Sequence, residues 1–142
     1  MSDIGFFKKM VKLVTDLSDD KSRGVGAVIV GKYDTILSYG SNTIPEGVNK
    51  TKDRTEKPNK YKWIGHAERN AIYSAAKRGV SLDGSTMYCS YFPCSDCARG
   101  IIQSGIIELY TTKPDLTHNK WGKSWECALE MFNESKVKIN FI

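Results

Sequence analysis

Apolar residues recur along the chain in two periods. From Ile4 to Leu17 they fall at Phe6, Phe7, Met10, Val11, Val14 and Leu17, the spacing of a helix with one buried face. Val25–Val30 is a short β-branched run and Thr35–Tyr39 a second extended piece. Gly31-Lys32-Tyr33-Asp34 between them is turn-like, so the two strands read as a hairpin. Ser41 to Lys62 has few apolar residues and no period, which predicts a long functional loop. His66–Arg78 returns to helical spacing, with Ala67, Ala71, Ile72, Ala75 and Ala76 inward and Gly79 as the stop. A strand follows over Ser85–Tyr91. The next helix, Pro93–Ser104, has proline in its first turn and Gly105 at its end. Ile106–Thr111, Ser124–Asn133 and Val137–Ile142 complete the pattern as strand, helix and strand.

The predicted order is α-β-β-α-β-α-β-α-β. Strands that alternate with helices pair in parallel through crossovers, and the opening hairpin adds one antiparallel strand. The expected fold is α/β: three layers, a mixed five-stranded sheet with helices on both faces. At 142 residues with no linker or repeat, the chain is expected to form one domain, 1–142.

Composition narrows the function. Hydrophobic residues make up 40% and charged residues 26%, the balance of a globular protein. No apolar run approaches the ~20 residues of a membrane span, and Met1–Lys9 lacks a cationic-then-apolar leader pattern. A cytoplasmic location is therefore expected. In that reducing setting the close pair Cys94 and Cys97 reads as a metal or redox site, not a disulfide. The net charge of +5 suits an anionic partner, phosphate ester or nucleic acid.

The candidate chemistry sits at two predicted helix starts. His66-Ala67-Glu68 opens one and Pro93-Cys94-Ser95-Asp96-Cys97 the other. One histidine and two cysteines supply three zinc ligands and leave a fourth position open, the arrangement of a catalytic zinc. Helix starts favour thiolate over thiol. Glu68, two residues past His66, cannot easily join the same tetrahedron but can reach a bound water and move its proton. His-x-Glu followed by Pro-Cys-x-x-Cys is the signature of zinc nucleobase deaminases.

The chain resembles the cytidine deaminase superfamily and, within it, the deoxycytidylate (dCMP) deaminases. The likeness is carried by His-Ala-Glu-Arg-Asn-Ala-Ile at 66–72 and Tyr-Phe-Pro-Cys-Ser-Asp-Cys-Ala at 91–98. Val25–Val30, Arg54-Thr55 ahead of Lys60-Tyr61, and Ile101–Ile106 add to it. The resemblance implies hydrolytic deamination of dCMP to dUMP and ammonia, supplying dUMP for thymidylate synthesis. It further implies a homo-oligomer, a hexamer, with one catalytic Zn2+ per chain, since His118, Cys89 and Cys127 do not cluster in sequence. By the same resemblance Asn42 holds the sugar, the Ala67 N–H binds the base carbonyl and Tyr91 touches the ring. One segment departs from the regulated members: Gly40-Ser41-Asn42-Thr43 replaces Gly-Tyr-Asn-Gly, which counts against control by dCTP and dTTP.

Charge concentrates in Asn49–Lys62. Lys50, Lys52, Arg54, Lys57, Lys60 and Lys62 stand against Asp53 and Glu56, a net +4. Arg54 is the first candidate for a phosphate seat, by its fork geometry and its Arg-Thr likeness. Two other functions use the same motif. A deaminase of tRNA adenosine or single-stranded nucleic acid needs a longer basic surface than this one loop. A non-catalytic zinc module has no use for Glu68 beside an open position.

Overall fold

The computed structural model describes residues 3–142. Five strands form one sheet in the order β2-β1-β3-β4-β5: β1 Gly26–Val30, β2 Ile36–Ser41, β3 Thr86–Cys89, β4 Glu108–Thr111 and β5 Lys138–Phe141. β1 runs antiparallel to both β2 and β3, while β3, β4 and β5 are parallel. The expected mixed five-stranded sheet is thus observed, with β1 as the one reversed strand.

Helices cover both faces. α1 (Ile4–Thr15) packs Phe7, Val11 and Val14 onto Val28, Val30 and Tyr88. Its N-terminus is capped by Asp3, whose carboxylate accepts the Phe6 N–H at 3.0 Å. On the other face, Ala27, Ile29, Met87 and Leu109 meet α3 (Ala67–Arg78), α4 (Ser95–Gln103) and α5 (Gly122–Ser135). α3 lies very close to β2 because Gly40 has no side chain: a Cβ there would stand 2.5 Å from the Ala71 nitrogen.

Several sequence expectations are corrected. The α1 stripe is narrower than its periodicity implies: only the Phe7, Val11 and Val14 row is buried, Phe6 lies off that row and is exposed, and Leu17, past the helix end at Thr15, is exposed too. Ala76 faces solvent, while Ala67, Ala71 and Ala75 are fully buried. The stretch 41–62 is not structureless. It holds a 3-10 turn over Asp53–Thr55 and runs into a one-turn helix, α2 (Lys60–Trp63). Pro93 lies just outside α4, because Cys94 is already the N-cap in extended conformation. α5 starts two residues before the expected Ser124. Gly79 and Gly105 end their helices at φ +69° and +89°, as their placement implied.

Because β1 is reversed, the carboxyl ends of β2, β3 and β4 lie along one edge of the sheet, with the start of β1 between the first two. α3 and α4 both begin at that edge. Ligands of open α/β sheets bind beyond the carboxyl ends of strands.

Candidate active site

His66 is the N-cap of α3, and Cys94 the N-cap of α4, both in extended backbone conformation. Cys97 lies one turn further, fully buried. His66 Nδ1 is 3.4 Å from Cys94 Sγ and 3.5 Å from Cys97 Sγ. Zinc bonds of about 2.1 Å to nitrogen and 2.3 Å to sulfur, at a tetrahedral angle, put those atoms about 3.5 Å apart. The donor set and its spacing therefore fit zinc. Among the described residues it is the one cluster of three ligand side chains able to hold a metal. The expected trio is brought together across 31 residues of sequence by the convergence of two helix starts.

The thiols behave as an interacting pair. The hydrogen bond from Cys97 pulls the Cys94 thiol down to about 4, with burial opposing and His66 assisting. Cys97, which donates that bond, is pushed up, and burial pushes it further. A metal held here by His66, Cys94 and Cys97 would take both sulfurs as thiolates. Glu68 is 4% exposed; burial raises its carboxyl above the ordinary range while a positive His66 pulls it back.

A pocket of about 390 Å³ opens onto this corner, lined by His66, Ala67, Glu68 and Cys94 at its base. Its walls come from three irregular stretches, around 20–25, 42–64 and 118–121, plus Tyr91 and Phe92. The residue following the His-Ala-Glu-Arg run has a clear task. Asn70 Nδ2 donates to the carbonyls of Ser41 (2.9 Å) and Gly65 (3.2 Å), fixing the chain that enters His66. The start of α4 is held from α5, where Ser124 Oγ accepts the Ser95 N–H at 2.9 Å.

The substrate-side expectations divide. Asn42 lines the pocket, but its amide is largely engaged by the protein. Oδ1 accepts from Ser18 Oγ (2.5 Å) and the Val25 N–H (2.9 Å), and Nδ2 donates to the Arg23 carbonyl (2.8 Å). One amide hydrogen is left for a ligand. Ala67 begins α3, where its N–H has no intrahelical partner. Tyr91 lines the wall, with the Arg23 guanidinium 4.0 Å from its ring centroid.

Arg54 is not brought to the pocket. Its guanidinium lies 3.9 Å from the Trp63 ring centroid and donates to the Asn49 carbonyl at 2.9 Å. The 3-10 turn that carries it points it back along its own loop. The cations that do line the pocket are Arg23, Lys57, Lys60 and Lys120. Lys57 and Lys60 belong to the basic stretch singled out in the sequence. Arg23 and Lys120 were missed, because nothing local sets them apart from other surface cations. The aromatic wall of Trp121 and Trp125 was missed as well.

Residues 1–113 match the model of the cytidine and deoxycytidylate deaminase zinc-binding region. With its zinc ligands assembled as above, the chain belongs to that family of zinc-binding deaminases. A deaminase of the luxG 3′ region of Aliivibrio fischeri is 37% identical over 139 residues, 96% of this chain and 90% of that protein. The deoxycytidylate deaminase of Homo sapiens is 34% identical over 110 residues, 73% of this chain, and the match spans 61% of that enzyme's length. The crystal structure of dCMP deaminase from cyanophage S-TIM5 in complex with dCMP and dUMP has a TM-score of 0.76 at 26% identity, with both chains covered in full (100%).

Proposed function

We propose that the chain, as one domain, deaminates dCMP to dUMP with release of ammonia. The observation that carries this reading is Glu68: a buried carboxyl beside the three ligands, at the base of a pocket rimmed by cations. Its relatives that act on dCMP support the choice of substrate.

Bound zinc, held by His66, Cys94 and Cys97, supplies Lewis-acid activation of the attacking water. Glu68 accepts a proton from that water and passes protons to the pyrimidine ring nitrogen and to the departing amine. Water's oxygen becomes the new carbonyl of dUMP, and the amine leaves as ammonia. The Ala67 N–H donates to the base carbonyl. The remaining amide hydrogen of Asn42 faces the sugar, and Tyr91 lies along the ring. Buried hydrogen bonds of this kind fix orientation as well as affinity.

An ammonia-release assay across cytidine, CMP, dCMP, dCTP and a single-stranded oligonucleotide tests this. Preference for dCMP supports it. Preference for the oligonucleotide places the chain with polynucleotide deaminases, and no release from any of them ends the deaminase reading.

The chain works as a homo-oligomer, and a hexamer is the state its resemblance implies. In support, Phe6, Leu13 and Leu17 form an exposed apolar row on and just after α1. Light scattering at micromolar concentration should give a species well above monomer mass. No helix among the described residues is long and apolar enough to cross a membrane. Four free cysteines, Cys127 exposed among them, suit a reducing cytoplasm.

A further inference from the structure

The cations around the pocket are not equivalent. The Lys60 side chain is only 6% exposed, and its ammonium donates to both Asp20 oxygens (3.0 and 2.9 Å) and to Ser22 Oγ (3.0 Å). Its charge is already answered. Arg23, Lys57 and Lys120 line the same pocket, and none of the three has a carboxylate within ion-pair distance among the described residues.

A buried ion pair is a weak source of stability, because desolvation offsets most of the attraction. It is a strong source of position. Asp20 Oδ1 also accepts the backbone N–H groups of Ser22 (3.0 Å) and Arg23 (3.2 Å). One carboxylate thus shapes the 20–23 turn and grips a lysine 40 residues away. Its neighbour Asp19 holds the other end of the basic stretch, with Lys50 Nζ at 3.1 Å and the Ile44 N–H at 2.9 Å. Arg23 leaves the turn with its guanidinium against Tyr91. Its planar fork suits a phosphate better than an ammonium does.

We propose that Asp20 and Lys60 are positioning residues for a phosphorylated substrate. Their buried pair fixes the 20–23 turn so that Arg23, resting on Tyr91, meets the 5′-phosphate. This rests on reading the pocket as a nucleoside monophosphate site, and it moves the phosphate seat from Arg54 to Arg23.

The test compares wild type, Lys60→Met, Asp20→Asn and the double variant on dCMP and on deoxycytidine, which has no phosphate. Backbone hydrogen exchange across residues 20–25 is followed in the same four proteins. Each single substitution should raise KM for dCMP by about tenfold or more, the scale of one misplaced charge-assisted hydrogen bond. The kcat on dCMP and the kcat/KM on deoxycytidine should stay within about threefold of wild type. The double variant should be no worse than the worse single, since both break the same pair. Exchange should quicken in all three variants at Ser22 and Arg23, whose N–H groups Asp20 holds, and stay unchanged at Val25, which Asn42 holds. Unchanged KM for dCMP, equal losses on both substrates, losses that multiply in the double, or unchanged exchange would each overturn the proposal. Asp20→Asn keeps the shape of the side chain, so it reports even where Lys60→Met folds poorly. A wild-type protein inactive on dCMP would instead end the proposed function and the phosphate role with it, while exchange still decides whether the pair holds the turn.

Discussion

The metal corner and the substrate wall are built in opposite ways. The corner stands on regular structure: His66 and Cys94 cap two helices whose inner residues Ala67, Ala71, Ala98 and Ile101 are fully buried. Apart from Phe92 and Trp125, which belong to the packed core, the wall is assembled from loops and the single turn of α2. Side-chain bonds hold it, from Asn42 to three neighbours, from Asn70 to Gly65 just before His66, and from Asp19 and Asp20 to Lys50 and Lys60 of the basic stretch. Reacting groups must be held to fractions of an ångström, and helices packed on a sheet do that well. Choice of substrate needs contacts that can be exchanged without disturbing the core, and loops on a rigid scaffold provide them.

This contrast can be broken or sharpened by experiment. The largest effects belong to the corner. Cys97→Ala, or stripping with a chelator, should abolish turnover, and metal analysis of the intact protein should give one zinc per chain; full activity without zinc would break the scheme. Next, Glu68→Gln keeps the shape of the side chain and should cost about 10²–10⁴-fold in kcat with zinc retained. A loss of zinc in that variant would make Glu68 part of the metal's support.

The wall should respond in KM and by substrate. Arg23→Ala should raise KM for dCMP by about 10- to 150-fold, the worth of a charged hydrogen bond, and leave deoxycytidine nearly untouched. Arg54→Ala should leave the kinetics on both substrates unchanged. Its stacking on Trp63 is partly exposed, so the variant should lose only about 0.5–1 kcal/mol of stability in chemical denaturation. A large KM effect at Arg54 would return the phosphate seat to the basic loop.

The smallest effect is in pH. Burial pushes the Asp20 carboxyl up, but bonds from Lys60, Ser22 and Arg23 together outweigh it, and the group sits below its ordinary value. A carboxyl lowered in the folded state adds stability that is complete above the unfolded value, about 3.9, and is lost as pH falls through the folded one. The melting temperatures of wild type and Asp20→Asn should therefore keep a constant gap from pH 7 to about 5, one that narrows below about 4.

Much of this was legible in the chain. The element order and the reversed strand follow from short β-branched runs alternating with amphipathic helices. The misreadings share a cause. Periodicity says which residues can share a face, but not how much of that face a neighbour covers, so Phe6, Leu17 and Ala76 were placed inside. In the stretch 41–62 there was no period to read, and α2 forms there over four residues with Lys60 itself buried. Its burial depends on Asp20, which no window around residue 60 contains.

That His66, Cys94 and Cys97 come together, with Glu68 beside them, was legible in the sequence alone, because each position is set within a few residues of a helix start. Spacing on a helix is a local matter, and ligand chemistry is carried by residue type. Which cations line the pocket was decided only by the tertiary structure. Arg23, Lys57 and Lys120 come to one pocket from three separated loops, while Arg54 turns away onto Trp63. A charge can be counted from composition, but whether it is free, paired or turned aside depends on partners tens of residues away that only the folded chain brings near.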